Sequence, residues 1–107
     1  MKVLTPGHCY ELANFENKEQ PGQQLQFIHK EPVGIVGLHH GQLRTACDGT
    51  TNEEVIAALI DRMQFLQKDF PCKENACCIT HLEEALMWLE KRTRDREKRN
   101  VEGKHIA

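Results

Sequence analysis

A proline between two long amphipathic segments most constrains what this chain can fold into. Pro71 ends the first segment, because proline lacks a backbone N–H and its ring clashes with a preceding helical turn. In the first segment the apolar residues at helical spacing are Val55, Leu59, Met63, Leu66 and Phe70. In the second they are Ala76, Ile79, Leu82, Leu86 and Leu89. Two helices joined by so few residues must fold back on each other, which predicts an antiparallel hairpin.

The helix limits can also be predicted. Thr51 is an N-cap candidate, and Glu54 three residues later completes the pattern of a capping box. Negative charge in the first turn is favoured by the helix dipole. The second helix is predicted from about Glu74 to about Lys98.

The first part of the chain favours short strands and turns. Four segments are predicted strands, separated by turn-rich sequence such as ENKEQPG: CYELANF (9–15), QQLQFIH (23–29), VGIVGL (33–38) and LRTAC (43–47). The predicted fold is therefore α+β, a small antiparallel β-sheet portion followed by a long two-helix hairpin. The predicted domains are a β-rich portion, 1–48, and a helical hairpin domain, 49–107.

The apolar surface of both helices is wider than one partner helix can cover. Residues 55–60 and 85–89 are apolar through more than a full turn, so their side chains point all round the helix. A chain of 107 residues also buries a thin core. We therefore expect a homo-oligomer.

Several classes of protein are disfavoured by composition. The five cysteines are odd in number and follow no CxxC spacing, so neither a disulfide framework nor a zinc ribbon is indicated. Cys77 and His81 have i, i+4 spacing, but core cysteine and surface histidine explain them better than a metal site, and His39-His40 fits a solvated loop. The sequence lacks an apolar run near 18 residues, so no membrane span is predicted. We expect a cytosolic protein with no metal and no cofactor.

Charge is distributed unevenly along the chain. Residues 91–104 carry seven Lys or Arg against three Asp or Glu, a local charge of +4. The whole chain carries 14 basic and 16 acidic residues, so the remainder holds seven and thirteen, a charge of -6. Such asymmetry indicates a local anion site more than a broad nucleic-acid surface.

The basic helix end has two explanations. Arg92, Arg96 and Arg99 have i, i+4 and i+7 spacing on one helix face, and guanidinium groups bind phosphate bidentately. Basic residues near a helix C-terminus also complement the helix dipole and pair with nearby acids on the surface. Arg92 and Arg96 lie roughly 25 to 30 Å along the helix axis from Asn75. A site that combines them therefore requires neighbouring protomers.

A resemblance to a known family supports the phosphate explanation. The motifs GTTNEEV, FPCKEN, LEEALMWLEKRT and VEGKH closely resemble the helical hairpin of phage counter-defence sponge proteins, between Asp48 and His105. The N-terminal MKVLTPGHCYELANFE makes the whole chain similar to the Thoeris anti-defence sponges rather than to the all-helical anti-CBASS sponges. The resemblance implies a non-enzymatic protein in the cytoplasm of an infected bacterium. It would sequester cyclic ADP-ribose isomers between protomers of a dimer or of a hexamer built as a trimer of dimers.

The resemblance also implies ligand-binding residues. Phe65 would stack on adenine, and Asn75 would meet a base or ribose edge; core packing and N-capping are the respective alternatives. Arg92 and Arg96 would neutralise the pyrophosphate. Weaker candidates are Arg99 and Thr93, and contributions from Arg44, His39 and His40 stay open. Some relatives also bind CBASS cyclic oligonucleotides at a second site.

Other functions compete with sequestration. A nucleotide hydrolase would need a metal cluster or an activated nucleophile, and the sequence has no HD pair, HxH constellation or GxSxG motif. An anti-CBASS sponge that binds only cyclic di- or trinucleotides is one alternative. A small nucleic-acid-binding regulator is another, although the acidic remainder of the chain opposes DNA or RNA binding.

Overall fold

The computed structural model describes residues 1–32 and 43–103. The predicted strand at 33–38 and the pair His39-His40 lie outside the described residues. The chain forms two compact units, Met1–Thr51 and Asn52–Ala107. The architecture is α+β, with small antiparallel sheets followed by two helices, which confirms the predicted fold class.

The first unit begins with a three-stranded antiparallel sheet in the order β1-β2-β3. Its strands are β1 (Lys2–Thr5), β2 (Cys9–Glu11) and β3 (Gln24–Gln26). β1 and β2 are joined by a tight turn in which the His8 N–H donates to the Thr5 carbonyl at 3.0 Å. Pro6 supplies the fixed φ of the first central position, and Gly7, with φ +77°, supplies the left-handed second one. This combination is characteristic of a type II turn.

A two-stranded antiparallel sheet follows, made of β4 (His29–Pro32) and β5 (Leu43–Cys47). The two sheets are linked by a short bridge at which Thr50 pairs with Phe27. There the Thr50 N–H donates to the Gln26 carbonyl at 2.9 Å, and the Ile28 N–H donates to the Thr50 carbonyl at 2.8 Å. Thr50 is thereby hydrogen-bonded to the chain at the junction of β3 and β4.

Two strand predictions for this unit need correction, and one is confirmed. β1 was not among the predicted strands. The predicted strand 9–15 ends at Glu11, because the Asn14 amide Nδ2 donates to backbone carbonyls of the following loop at 3.3 to 3.4 Å. The segment 23–29 contains only β3 and the first residue of β4. LRTAC is confirmed as β5.

The first unit has a thin core. Cys9 is the buried apolar residue among those the structure describes. In the same unit, the rings of Tyr10 and Phe27 meet edge to face with centroids 6.0 Å apart. His8 and His29 stack with ring centroids 3.8 Å apart and planes 7° apart. Aromatic and imidazole contacts therefore supplement the limited aliphatic packing.

The second unit is a helical hairpin. Its helices are α1 (Asn52–Asp69) and α2 (Lys73–Gly103), and they contact each other. Only residues 70–72 join them, so they run antiparallel, as predicted. α1 starts directly after Thr51, as the predicted N-cap requires, and stops just before Pro71. α2 extends past its predicted end near Lys98.

A side-chain clamp holds the turn of the hairpin. The Gln67 amide Nε2 donates to the Cys72 carbonyl at 3.0 Å, and the Gln67 Oε1 accepts from the Cys72 N–H at 3.0 Å. The Ala76 N–H also donates to the Cys72 carbonyl, at 3.2 Å, as the first bond of α2. Cys72 is thus the N-cap residue of α2, although its side chain lacks the usual capping oxygen. Gln67 satisfies a backbone donor that would otherwise be exposed to water alone.

The helices pack along a seam of half-buried side chains. On α2 the seam residues recur at intervals of four and three: Asn75, Ile79, Leu82, Leu86 and Leu89. On α1 the half-buried aliphatic residues are Val55, Ile56, Ile60, Met63 and Leu66. Three predicted seam residues, Leu59, Phe70 and Ala76, are instead exposed, because the seam runs beside them through Ile56, Ile60 and Asn75.

Apolar surface remains exposed on both helices. Phe65 and Trp88 are 67% and 62% exposed, and half of the Met87 side chain is exposed. α1 contains no fully buried residue, and the same holds for the described side chains of α2 up to Arg99. Surface of this kind agrees with the predicted homo-oligomer, which stays a prediction. Among the described residues, neither helix has the length and apolarity that a membrane span requires.

Candidate ligand-binding site

The basic end of α2 is a fully helical, solvent-exposed segment. Side chains 90–99 are all exposed, and the helix continues to Gly103. A helix places residues three or four positions apart side by side on its surface, so neighbouring charges converge only at these intervals. Which cations act together is therefore decided by spacing.

An open, shallow cleft of about 240 Å³ on one face of α2 is lined by five side chains: Trp88, Lys91, Arg92, Asp95 and Arg99. Trp88, Arg92, Asp95 and Arg99 follow one another at intervals of four, three and four residues, so they form a single row along the helix. The cleft offers the flat indole of Trp88, two guanidinium groups and one ammonium group. Such a surface can bind an anion that carries a ring system.

An ion pair lies inside the cleft. The Lys91 Nζ donates to Asp95 Oδ2 at 2.9 Å across one helical turn. This hydrogen bond, aided by the positive charges of Lys91, Arg99 and Arg94, holds the pKa of the Asp95 carboxyl below its ordinary value, while desolvation opposes the shift. Asp95 is therefore a carboxylate at neutral pH.

Of the two arginines predicted to neutralise phosphate, one lines the cleft. Arg92 lines the cleft, whereas Arg96 is exposed outside its lining. Arg99, the weaker candidate, lies in the cleft with Arg92. The Thr93 hydroxyl donates back to the Leu89 carbonyl at 3.2 Å, so this hydroxyl already has a partner in its own helix.

Asn75 lies at the opposite end of α2. It is the third residue of the helix and is half-buried on the hairpin seam. Because Cys72 precedes the helix as its N-cap, the alternative that Asn75 caps α2 is wrong. Seventeen residues of helix separate Asn75 from Arg92, roughly 25 Å at 1.5 Å per residue. One hairpin does not bring them into one site.

Phe65 is on α1, with its ring largely exposed at 67%. Core packing, the alternative considered for Phe65, is therefore not its role within a single hairpin. An exposed phenyl ring is available for stacking, either on a planar ligand or on a neighbouring protomer. Phe65 does not line the basic cleft.

Three residues that line the cleft were not predicted as site residues: Trp88, Lys91 and Asp95. Trp88 was assigned only to the apolar block 85–89, yet its i, i+4 spacing to Arg92 was a usable signal. Arg44, left open as a contributor, donates from Nη2 to Glu31 Oε2 at 3.2 Å within the β4–β5 sheet. Among the described residues, no three His, Cys, Asp or Glu side chains are grouped as a metal site requires.

Fold and cleft together define an α+β protein with a helical hairpin whose second helix carries a cluster of exposed cations. Comparison with known proteins identifies the family to which it belongs. The family model described as "Acb2/Tad1, hairpin domain" matches residues 34–94, more than half of the chain, and the chain belongs to this family.

A phage protein is similar to part of this chain. The chain is 58% identical over 59 residues to "Thoeris anti-defense 1" of Bacillus phage SBSphiJ7. The aligned part is 54% of this chain and 42% of the phage protein, so this chain matches less than half of the length of that relative. The resemblance to the Thoeris anti-defence family, with its shared helical hairpin, is confirmed.

Proposed function

We propose that this chain is a phage anti-defence protein that binds cyclic ADP-ribose-type signalling nucleotides and sequesters them without cleavage. The observation that carries the proposal is the 58% identity over 59 residues to a protein named Thoeris anti-defense 1. Removal of the messenger would leave the downstream effector of Thoeris immunity inactive. The place of action would be the cytoplasm of the infected bacterium.

The chemistry of the basic helix end supports a phosphorylated ligand. Arg92 and Arg96 are both exposed, one turn apart, and their guanidinium groups would hold the two phosphates of a cyclic ADP-ribose isomer. The exposed ring of Phe65 would stack on adenine. Asn75, with one donor and one acceptor on its amide, would bind a base or ribose edge.

The distance between the candidate residues means that the proposed site would form only between protomers. Asn75 and Arg92 lie too far apart on one helix to contact the same small molecule. Antiparallel neighbours can place the turn of one hairpin beside the basic end of another. The exposed Phe65, Met87 and Trp88 supply apolar surface that such neighbours would bury. The proposed assembly is a homo-oligomer, either a dimer or a hexamer built as a trimer of dimers.

A cyclic oligonucleotide of CBASS immunity is a second candidate ligand. The observation that favours it is the family model, whose description joins two kinds of protein, Acb2 and Tad1. A cyclic dinucleotide also carries two phosphates and two bases, so the same cationic and aromatic groups suit it. This ligand would occupy either the same cleft or a second site, and competition between the two ligand classes would distinguish these cases.

Capture followed by release tests sequestration against enzymatic cleavage. Purified protein is incubated with glycocyclic ADP-ribose isomers, separated from free ligand, heated until it unfolds, and the released material is identified by mass spectrometry. The proposal predicts bound ligand that is recovered chemically intact. Recovery of a cleaved product would show that the protein is an enzyme.

A gel shift with duplex DNA and with RNA tests the remaining alternative. Nonspecific nucleic-acid binding rests on many phosphate contacts and weakens steeply with salt. We expect no salt-dependent shift. A shift that cyclic nucleotides fail to compete would favour a nucleic-acid-binding regulator.

A further inference from the structure

One carboxylate lies among the cations of the α2 cleft. Of the five residues that line it, Lys91, Arg92 and Arg99 are positive and Asp95 is negative. The Asp95 side chain is half exposed and reaches Lys91 at 2.9 Å. A cleft that only had to attract phosphate as strongly as it could would not contain this charge.

The carboxylate changes which anions the cleft suits. The lining carries three positive charges and one negative charge, a sum of +2. This sum attracts every phosphorylated ligand. Repulsion by the Asp95 carboxylate grows with the negative charge of the ligand, so Asp95 weakens the binding of a ligand with four negative charges more than that of a ligand with two.

We propose that Asp95 is a specificity-determining residue, a charge filter that weakens the binding of nucleoside triphosphates in this cleft more than the binding of doubly charged nucleotides. A cell holds abundant nucleotides of higher charge, and a purely cationic cleft beside an exposed indole would bind them. Specificity of this kind is obtained by a repulsive element placed against the competitor. The link to immune messengers rests on the proposed function; the filter itself does not.

The size of the effect follows from Coulomb's law. The interaction between two unit charges about 7 Å apart in water changes a binding constant by about threefold. A ligand with two additional charges should therefore lose about tenfold because of Asp95, and salt will reduce this figure. Removal of the carboxylate also frees the Lys91 ammonium for the ligand, which acts in the same direction.

A simpler role for Asp95 is a surface ion pair that supports α2. Such i, i+4 pairs contribute little to stability when they are exposed. The two roles differ in one measurable respect. A helix-supporting pair would change the helix content and leave the preference between ligands unaltered, whereas a filter changes the preference between ligands of different charge.

The test compares AMP, with two negative charges, and ATP, with four, by calorimetry without magnesium at low salt. The full chain is measured as wild type, as Asp95→Asn, and as Glu97→Gln, a control that removes a carboxylate outside the cleft lining. We expect Asp95→Asn to tighten ATP binding about tenfold more than AMP binding. Glu97→Gln should leave the ratio of the two binding constants near that of the wild type.

Each other outcome overturns the filter. It fails if Asp95→Asn changes both constants equally, if Glu97→Gln changes the ratio as much, or if Asp95→Asn does not bind ATP at millimolar concentration. A third titration, with a cyclic ADP-ribose isomer, keeps the two proposals separate. If the wild type does not bind the cyclic ligand, the proposed function is wrong. The ratio of the AMP and ATP binding constants would still test the role of Asp95.

Discussion

Replacement of Gln67 by methionine should loosen the turn of the helical hairpin. Gln67 makes two hydrogen bonds of 3.0 Å to the backbone of Cys72, one as donor and one as acceptor. Methionine has nearly the same length and nearly the same helix propensity, so the substitution removes both bonds and little else. A typical intramolecular hydrogen bond contributes about 0.5 to 1.5 kcal/mol net. Because this turn is open to water, we expect Gln67→Met to lower the free energy of unfolding by about 1 to 2 kcal/mol.

Urea denaturation followed by circular dichroism at 222 nm measures this change. Stability of an oligomer depends on concentration, so all variants must be compared at one protomer concentration. Gln64→Met is the matched control, because it makes the same chemical change at an exposed position of α1. If Gln67→Met and Gln64→Met agree within about 0.5 kcal/mol, the normal scatter of surface substitutions, the clamp does not stabilise the turn.

Three further predictions concern the site and the first unit. Arg92→Ala or Arg96→Ala should weaken capture of a cyclic ADP-ribose isomer about hundredfold or more, with unchanged elution in gel filtration; equal affinity in wild type and both variants would remove this site. Gly7→Ala should destabilise the β1–β2 turn by about 1 kcal/mol in the same urea assay, because φ is +77° there; a neutral result would contradict the turn assignment. The carboxyl of Asp95 should titrate below 3.8 by NMR, and Lys91→Met should raise that midpoint. Because the folded pKa is depressed, the Lys91–Asp95 contribution is present above the unfolded pKa and lost as pH falls through the folded value.

The hairpin could be predicted from the sequence because its signals are local. Pro71 and the capping pattern at Thr51 act within a few residues, and helix α1 runs from Asn52 to Asp69 between them. The exact residues that pack along the seam between the helices were harder to predict. Residues 55–60 are apolar almost throughout, so spacing alone did not show that Ile56 and Ile60 would be half-buried while Leu59 stays 45% exposed.

The first unit depends on longer-range contacts and was predicted less well. β1 pairs with β2 across the Pro6-Gly7 turn. From the sequence alone, Pro6-Gly7 is equally compatible with a simple interruption of regular structure. The stack of His8 on His29 joins residues 21 positions apart, and a hydrophobic pattern carries no signal for such a contact.

The candidate site was predicted in part. The sequence placed Arg92 and Arg99 on one face, and the structure shows them lining one cleft. It did not reveal that Asp95 lies between them, because exposed acids near basic helix ends usually look like ordinary ion pairs. The contributions of Phe65, Asn75 and Arg96 depend on neighbouring protomers, and they stay predictions.

Calorimetry of the purified chain against a panel of cyclic nucleotides tests the central claim most directly. The panel should contain glycocyclic ADP-ribose isomers, cyclic dinucleotides and cyclic trinucleotides, with AMP as the simple nucleotide control. We predict saturable binding of at least one cyclic ADP-ribose isomer, with a stoichiometry that reflects sites shared between protomers. Heats indistinguishable from dilution for every cyclic ADP-ribose isomer would contradict the account.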